Sequence, residues 1–588
     1  MENFDCVVVG AGWYGLAAAR QFHYTQPDKS LAIFDAQSSL GGTWAEERLY
    51  PGLKSNNLLG TYEYPGFPMT SDKFDVKAGE HIKGAAIHSY LKAYAEYSGI
   101  RELIHFDHRV LSAEHRGTNQ GGWILTVATP SKTERRVLAH RLILATGLTS
   151  NAFLPHFDGQ EDFGGRIFHG KHFHQNSDTL DTATAVTVFG GTKFAWDAVY
   201  AYATAGVKVN WVIRSSGHGP CWMSKPYGTP LNLWVEKLAN TRLVSWLSPC
   251  IWGEVDGYGS IRRFFHGTAI GRFIVDTFWK LFSSDILSQS NFDAHPDTAK
   301  LKPWTEAMFI GDSLSILNYE QDIYSLVKSD LVNVYIDEID HLSPGRVHLA
   351  SGTALSSDVL LASTGWIHVP SVKLLPEGIA AELGIPYRPL DSAPAQLAKI
   401  LLRFPRLKRQ PVWNAHYKPM TEQKGISSGE DVTPYTPLTP YMLYRFLVPA
   451  SLSYLRTRDI AFAGMLSNTS NAITAHISGL WISAFFAGKL GTELEISLSS
   501  PDSNWYKALQ YETVLYNRWG KWRYPTDWGN KRPSFIFDSV PYLDLLQRDL
   551  GLNPHRKGGW FAEITQGYGP NDYQGIEDEW ARKQKINN

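Results

Sequence analysis

Two glycine-rich turns constrain the fold of this chain more than any other feature of its sequence. The first turn runs from Gly10 to Gly15, directly after the apolar run Cys6–Val9 and directly before helix-forming residues. The second runs from Gly190 to Ala195 in the same local context. A strand, a glycine turn and a helix in this order bind the pyrophosphate of a dinucleotide at the helix N-terminus. The sequence therefore predicts an α/β fold with two dinucleotide-binding Rossmann-like domains.

The first turn carries every residue that such a site needs. Gly10 permits the tight turn, Gly12 lets the backbone approach the pyrophosphate, and Gly15 lets helix and strand pack closely. Asp35 follows the next predicted strand, Leu31–Phe34, and is placed to accept hydrogen bonds from a ribose. We expect a complete dinucleotide site here.

The second turn departs from the ideal pattern at two positions. Gly190 stands at the first glycine position, but Thr192 stands at the second and Ala195 at the third. An alanine at the third position concerns only helix packing, whereas Thr192 puts a side chain where the backbone approaches the pyrophosphate. We expect Thr192 to loosen or reshape the binding of a nicotinamide dinucleotide.

The strand after the second turn ends in a basic residue, where a site selective for NAD would show an acid. Arg214 and Ser215 follow this predicted strand, which covers residues 207–213. A guanidinium can bind the 2′-phosphate of adenosine through two hydrogen bonds, and Ser215 and Lys193 are candidates to assist it. The sequence therefore predicts NADPH in preference to NADH.

Composition and charge exclude several other classes of protein. The 588 residues exceed what one core holds, and the formal net charge of -1 argues against a nucleic acid partner. The three cysteines form no CxxC pair, so we expect no disulfide scaffold and no dithiol redox centre. His169, His172 and His174 share one short loop without a carboxylate or thiolate ligand, so we expect no metal site.

The sequence favours a cytoplasmic protein. Its first residues lead directly into a strand, without the basic and apolar regions of a secretion signal. No apolar run reaches the roughly 18 to 20 residues that span a bilayer. Residues 264–282 read as one amphipathic helix, and its stripe of Arg272, Asp276 and Lys280 mixes charges, which argues against contact with a membrane surface.

Three further motifs give the chain a family resemblance. They are Leu-Gly-Gly-Thr-Trp at 40–44, Tyr-Pro-Gly-Phe-Pro at 64–68 and the pattern Phe163-x-Gly165-x-x-x-His169-x-x-x-Phe173 between the two turns. Together they resemble flavin-dependent monooxygenases of the flavin-containing and Baeyer–Villiger type. The resemblance implies FAD at the first turn and NADPH at the second. The FAD contacts that it implies beyond the turn are Gly42, Thr43, Trp44, Lys54, Ser55, Asn56 and Val110.

Two residues indicate the class within this family. Asn56 falls where flavin-containing monooxygenases place an Asn and Baeyer–Villiger enzymes place an Asp, and an amide can donate a hydrogen bond without adding charge. Phe173 stands where a Trp suggests a Baeyer–Villiger enzyme. The resemblance implies a catalytic set in which Asn56 lies at the reacting oxygen, Arg214 binds the NADPH phosphate and His169 belongs to the coupling segment between the domains.

The same patterns divide the chain into segments. The predicted segments are an FAD-binding domain at 1–155 and 366–500, a linker at 156–180, an NADPH-binding domain at 181–365 with a helical insertion at about 218–300, and a C-terminal extension at 501–588. The insertion and the extension match the family least, and we expect them to cover a substrate cleft. A helical run at 473–490 is expected to close over the flavin.

The resemblance also implies a reaction. NADPH reduces the flavin, oxygen forms a C4a-hydroperoxyflavin, and one oxygen atom enters a small organic substrate, such as one of specialised metabolism, by hydroxylation, N-oxidation or epoxidation. A Baeyer–Villiger oxygenase is the first alternative, disfavoured by Asn56 and Phe173. The second alternative is a protein that binds FAD without oxygenase turnover, which Thr192 keeps open.

Overall fold

The strand before the first glycine turn lies at the centre of a parallel five-stranded sheet, called the first sheet. The computed structural model describes residues 1–117, 119–388, 396–412, 414–491, 504–525 and 529–587. The first sheet has the spatial order Ile460–Phe462, Leu142–Leu144, Cys6–Val9, Leu31–Phe34, Ile104–His105. Cys6–Val9 and Leu31–Phe34 are buried along their whole length, as parallel strands covered on both faces require.

A second parallel sheet repeats this plan around the second glycine turn. Its spatial order is Arg166–His169, Val359–Ala362, Ala185–Phe189, Lys208–Ile213, Val332–Ile336. In both sheets the strand before the glycine turn is central and the next strand along the chain lies beside it. The predicted class, α/β with two Rossmann-like domains, is confirmed. Arg166–His169, from the segment predicted to be a linker, forms an edge strand of the second sheet.

Each parallel sheet is accompanied by an antiparallel one. In the first domain its order is Glu2–Phe4, Glu134–Ala139, Trp123–Ala128, Arg109–His115, Lys373–Leu375, with parallel pairing at both edges. In the second domain Ile339–Ser343, Arg346–Leu349 and Ala354–Ser356 form a three-stranded meander. The duplication visible in the glycine turns therefore extends beyond the turns to the neighbouring sheets.

The helix after the first turn packs against a second helix that is buried on every side. The first helix is Trp13–Thr25 and the second is Asn471–Phe486, which overlaps the predicted helical run 473–490 but begins two residues earlier. A Cβ on Gly479 would lie 2.9 Å from the carbonyl oxygen of Ala17, so only glycine allows this approach. The second helix therefore begins beside the first glycine turn.

The insertion and the C-terminal extension form one helical layer that shares a core with the first domain. The helices of the insertion are Val235–Ala239, Arg242–Trp246, Gly259–Gly267, Ala269–Ser290 and Pro296–Lys300. Those of the extension are Asn504–Arg523, Ser539–Asp549, Trp560–Thr565 and Ile576–Asn587. Trp252 meets Trp519 at 4.8 Å between ring centroids, and Trp279 meets Phe537 at the same distance. The aromatic residues of both segments thus build a common interior.

A buried ion cluster also joins the two segments. Arg242 of the insertion is fully buried and lies 2.5 Å from Asp544 and 2.7 Å from Glu563 of the extension. The same guanidinium also donates a hydrogen bond to the hydroxyl of Tyr568 at 3.1 Å. Because a buried charge is tolerated only when it is paired, these contacts fix how the extension sits on the insertion.

The single amphipathic helix predicted for residues 264–282 was wrong. The structure divides it into Gly259–Gly267 and Ala269–Ser290, with Thr268 between them. The hydroxyl of Thr268 accepts a hydrogen bond from the backbone N–H of Gly271 at 2.9 Å, which is the contact of a helix N-cap. The apolar periodicity continued through this cap and concealed it.

The remaining elements are short. The other α-helices are Ser71–Phe74, Gly84–Tyr97, Thr179–Thr182, Lys193–Thr204, Ile323–Val327, Ala380–Leu383, Gln396–Arg403 and Leu452–Thr457. The other strand pairs are Lys54–Leu58 with His81–Lys83, His156–Phe157 with Ile426–Ser427, Trp222–Ser224 with Leu314–Ile316, Tyr227–Gly228 with Leu233–Trp234, and Leu443–Tyr444 with Val448–Pro449. Within the described ranges, no helix is long and apolar enough to cross a membrane. The predicted segment boundary at 500/501 lies outside the described residues, and the segment boundaries stay a prediction.

Candidate active site

The carboxyl ends of the first sheet open into a cleft of about 430 Å³, called the main cleft. Gly10, Asp35, Thr146 and Gly464 each follow a strand of that sheet and line it. The other predicted contacts that line it are Gly12, Gly42, Thr43, Trp44 and Val110. Ligands of open α/β sheets bind at this edge, so the main cleft is the candidate cofactor site.

The first turn needs glycine for measurable reasons. Gly10 has φ +107°, and a Cβ there would lie 2.4 Å from the carbonyl oxygen of Ala145. Gly15 does not line the cleft, but a Cβ on it would lie 1.8 Å from the carbonyl oxygen of Gly10. Gly12 faces Gly42 across the cleft floor, with 3.6 Å between an added Cβ and the Gly42 Cα. The backbone is therefore bare where a pyrophosphate would approach.

Asp35 is held rigidly at the end of its strand. Its Oδ2 accepts a hydrogen bond from the N–H of Ala11 at 2.6 Å, and its Oδ1 accepts one from Gln37 at 2.8 Å. Burial raises the pKa of Asp35, while these two backbone donors act against that rise. Each carboxylate oxygen keeps a second acceptor position, which suits the ribose hydroxyls expected there.

Three basic side chains line the main cleft that the sequence did not single out: Arg48, Arg109 and Lys171. Burial lowers the pKa of Arg48 to about 10. The pKa of Lys171 is also lowered, first by burial and then by the charges of Arg48 and Arg109. Because these three cations repel one another, a bound anion would lower the electrostatic free energy of the site. A dinucleotide pyrophosphate fits this donor set.

Trp44 lies on the wall between the main cleft and a second cavity. Its indole N–H donates to the hydroxyl of Tyr62 at 3.2 Å, and both rings line both spaces. Asn471, at the start of the buried helix, also lines both and lies 3.4 Å from the hydroxyl of Tyr14. Thr43 lies nearer the surface, 3.1 Å from the hydroxyl of Thr149. Trp44 therefore separates the cofactor space from its neighbour.

The second cavity, called the side cavity, measures about 330 Å³. Its polar lining includes Lys54, Ser55, Asn56, Asn57, Lys193, Asp197, Glu236, Asp312 and Asn468. Its apolar lining includes Trp44, Tyr62, Val235, Ala239, Leu314, Ile316, Ile536 and Phe537. The insertion contributes Val235 and Glu236, and the C-terminal extension contributes Ile536 and Phe537. The side cavity is thus built where sequence patterns are weakest.

Lys54, Ser55 and Asn56 were predicted to contact FAD. The structure places them in the lining of the side cavity instead of the main cleft. Asn56 is exposed, whereas Ser55 is buried and accepts a hydrogen bond from the N–H of Ile82 at 3.2 Å. Lys54 pairs with Glu320 at 2.9 Å. The wall formed by Trp44 and Tyr62 lies between these three residues and the main cleft.

Glu236 is a buried acid in the wall of the side cavity that the sequence did not reveal. Asn57 donates a hydrogen bond to its carboxylate and a second one to the carbonyl oxygen of Thr469 at 3.2 Å. Burial raises the pKa of Glu236 to about 7. The carboxyl therefore exchanges its proton near neutral pH, directly beside the strand that carries Asn56.

The second turn has the geometry of a dinucleotide site despite its substitutions. Gly190 has φ +136°, and a Cβ there would lie 2.7 Å from the carbonyl oxygen of Ser363. Thr192 is extended at the helix start, and its hydroxyl lies 2.8 Å from that of Ser363. Ala195 is fully buried against the sheet. The hydrogen bond with Ser363 thus fixes the position of the Thr192 side chain beside the turn.

Arg214 is buried at the carboxyl edge of the second sheet. Its Nη2 donates to the carbonyl oxygen of Lys418 at 3.3 Å, and its Nη1 has no hydrogen-bond partner among the described residues. The hydroxyl of Ser215 donates to Glu338 at 3.0 Å, and the N–H of Ser216 donates to the same oxygen at 2.7 Å. One guanidinium nitrogen of Arg214 is therefore buried without a partner among the described residues, whereas the Ser215 hydroxyl bonds to an acid.

Lys193 makes its contacts away from Arg214. Its ammonium group pairs with Asp197 and donates to Asn318 at 3.0 Å and to Tyr319 at 3.3 Å. Lys193 and Asp197 line the side cavity, and none of the three partners belongs to residues 214–216. The prediction that Lys193 assists at the 2′-phosphate gains no support from them.

His169 links the two domains through an aromatic residue. It ends the edge strand of the second sheet, and its ring meets Trp366 at 4.9 Å, while the guanidinium of Arg48 lies 5.6 Å from the Trp366 ring. Burial lowers the pKa of His169 to about 3, so the imidazole is neutral. Its Nδ1 accepts from the N–H of Lys171 at 3.1 Å, which leaves the proton on Nε2. Phe173, the class marker, is buried in the core beside Tyr50.

Neither metal nor dithiol chemistry has a site in the part of the chain that the structure describes. No group of three or more His, Cys, Asp or Glu side chains is arranged there to hold a metal ion. Cys6, Cys221 and Cys250 all lie in this part, are buried, and form no disulfide.

Comparison with known proteins agrees with this geometry. A family model described as pyridine nucleotide-disulphide oxidoreductase matches residues 7–227, which contain both glycine turns. The FAD-dependent monooxygenase DEP4 of Alternaria brassicicola is 30% identical over the whole of this chain and 96% of its own. The FAD-dependent monooxygenase resA of Aspergillus sclerotiorum is 31% identical over 99% of both chains.

The fold has solved counterparts. The closed crystal structure of cyclohexanone monooxygenase superposes with a TM-score of 0.56 over 99% of this chain and 98% of that one, at 15% identity. Identity at that level shows a shared fold and says nothing about a shared substrate. The full-length match to the fungal relatives confirms the predicted resemblance, and the chain belongs to the family of FAD-dependent monooxygenases.

Proposed function

We propose that this protein is an NADPH-dependent monooxygenase that oxygenates a small organic substrate held in the side cavity. The supporting observation is the position of that cavity between the two dinucleotide turns. It shares Trp44, Tyr62 and Asn471 with the main cleft, and it borders the second turn through Lys193 and Asp197. A molecule in this space lies within reach of both cofactors.

The main cleft fits FAD, which supplies electron storage and oxygen activation when it is bound. The bare backbone at Gly10 and Gly12 and the N-terminus of helix Trp13–Thr25 receive the pyrophosphate. Arg48 and Lys171 add positive charge on the same side. Asp35 accepts from the ribose. The protein's part in this site is binding and orientation.

The second turn fits NADPH through Arg214. Its unpartnered Nη1 donor is buried, and burial without a partner is costly unless a ligand supplies the acceptor. A 2′-phosphate supplies it. Glu338 opposes this fit because it occupies the donors of Ser215 and Ser216, so Arg214 carries the selectivity alone.

The side cavity favours oxygen transfer that needs no arginine beside the reacting oxygen. Asn56 presents a neutral amide, and no arginine lines the cavity among the described residues. Trp44, Tyr62 and Phe537 form an apolar part of its wall, which would disfavour water beside an oxygen that reacts there. In the overall reaction NADPH gives two electrons, one atom of O2 enters the substrate and the other leaves as water. We therefore propose hydroxylation, N-oxidation or epoxidation ahead of Baeyer–Villiger insertion.

Stopped-flow spectroscopy tests this proposal. Mixing the FAD-loaded protein with NADPH should bleach the flavin absorbance much faster than NADH does. Adding oxygen should then give a long-lived absorbance that differs from oxidised flavin and decays faster when a substrate is present. Flavin that neither nucleotide bleaches would support binding without turnover. Formation of a lactone or ester from ketones by the unmodified protein would support the Baeyer–Villiger alternative.

A further inference from the structure

Four large apolar side chains, called the apolar stripe, are exposed on the helix Ala269–Ser290, where Lys280, Ser284 and Ser288 are exposed as well. Ile270, Phe273 and Leu281 are 68%, 71% and 66% exposed, and Ile274 is 40% exposed. Spacings of three, four and eleven residues from Ile270 bring these side chains to one side of a helix. The opposite side, with Val275 and Trp279, is buried in the core. Exposed apolar side chains grouped on one side of a helix mark a contact surface.

The polar stripe that argued against a membrane is largely neutralised within the protein. The carboxylate of Asp276 lies 2.6 Å from Arg406, which pairs with it and with Glu306. The guanidinium of Arg272 donates to the carbonyl oxygen of Gly267 at 2.9 Å. Lys280 remains exposed and forms no ion pair with any described residue. Asp285 on the same helix bonds to Thr229 and Gln289, so the helix has equal numbers of cations and acids, and positive charge at this face must come from a neighbouring segment.

A basic segment lies beside the apolar stripe. The pair of Arg406 with Asp276 and the contact of Phe404 with His266, at 5.3 Å between ring centroids, hold residues 399–412 against the insertion. This segment contains five Lys or Arg residues and no acid. Lys408 and Arg409 are exposed and pair with no acid in the described ranges, and Leu402 is 78% exposed.

We propose that the apolar stripe and the basic segment together dock the protein on an anionic lipid surface. Apolar side chains on one side of a surface helix enter the boundary between head groups and acyl chains, and neighbouring Lys and Arg attract anionic head groups. The net charge of the whole chain is only -1, so the positive charge is local to this face. A second copy of the chain would bring the same cations together, which makes self-association at this face less favourable.

Vesicle flotation with the FAD-loaded full chain tests the proposal without NADPH or substrate, so its outcome does not depend on oxygenase activity. We expect the protein to float with phosphatidylcholine vesicles that contain phosphatidylserine, and to be released by salt. Phosphatidylcholine alone should bind it weakly. Phe273→Ser should weaken binding about tenfold or more because a buried aromatic contact is lost. Lys408→Ser with Arg409→Ser should remove the preference for phosphatidylserine.

Tyr97→Ser is the matched control, since Tyr97 is 62% exposed on a helix of the first domain. It should leave vesicle binding unchanged. Absence of flotation with either vesicle, or equal binding of Phe273→Ser and the unmodified protein, would overturn the proposal. Concentration-dependent dimers that Phe273→Ser dissolves, without vesicle binding, would assign the face to a second copy and overturn it as well.

Discussion

Replacing Arg214 with Gln should remove selectivity for NADPH while sparing NADH. Arg214 is 8% exposed, and its Nη1 has no partner among the described residues, so a 2′-phosphate gains a charge-assisted hydrogen bond in a largely desolvated place. Such bonds contribute about 1.5 to 3 kcal/mol. The dissociation constant of NADPH should therefore rise by about 10-fold to 150-fold, and that of NADH should change little.

The assay is the rate of flavin bleaching as a function of nucleotide concentration under anaerobic conditions. Two variants sharpen it. Glu338→Gln removes the acid that faces Ser215, so the preference for NADPH should increase. Lys193→Ala should leave the ratio of the two dissociation constants unchanged, because its contacts are with Asp197, Asn318 and Tyr319. Equal weakening of NADPH and NADH by Arg214→Gln would refute the assignment of Arg214 to the phosphate.

Three further predictions concern other parts of the molecule. Burial raises the pKa of Glu236 from 4.5 to about 7, so ionisation of this carboxyl lowers the free energy of unfolding as pH rises from about 4.5 to 7, and the loss is complete above pH 7. Glu236→Gln should therefore raise the free energy of unfolding by about 3 kcal/mol at pH 8 and by almost nothing below pH 4.5, measured by urea titration. Arg242→Met leaves Asp544 and Glu563 unpaired and should cost about 3 to 5 kcal/mol of stability in the same assay, whereas a loss below 1 kcal/mol would contradict the buried cluster. Lys171→Met should weaken FAD binding about tenfold in fluorescence titrations, and unchanged affinity would remove Lys171 from the cofactor site.

The cofactor sites were predictable because their signals are local. A strand, a glycine turn and a helix occupy consecutive residues. Gly10 and Gly15 must be glycine because an added Cβ would clash with the carbonyl oxygen of Ala145 or of Gly10, both of which lie at the turn. The positions of Asp35 and Arg214 at the ends of the following strands could be predicted for the same reason, while their roles toward the cofactors stay predictions. The class of fold and the family followed from these residues and are confirmed.

The substrate space was not predictable because its walls come from distant parts of the chain. Asn56, Glu236 and Phe537 all line the side cavity, although about 180 residues separate the first two and about 300 separate the last two along the chain. The basic residues of the main cleft were missed because Arg48 and Arg109 belong to no motif. The role first expected for Lys193 followed from its place at a helix start, whereas its side chain turns toward Asp197 and the side cavity.

The origin of the oxygen atom in the product tests the central claim most directly. Methyl phenyl sulfide has a heteroatom lone pair that accepts oxygen in the same way as the nitrogen in the proposed N-oxidation, and it can be incubated with the protein, NADPH and 18O2 in ordinary water. The proposed function predicts a sulfoxide that carries one 18O atom, formed in step with NADPH consumption and less well with NADH. A sulfoxide with oxygen from water, or complete release of the NADPH electrons as hydrogen peroxide with every soft nucleophile tried, would contradict it.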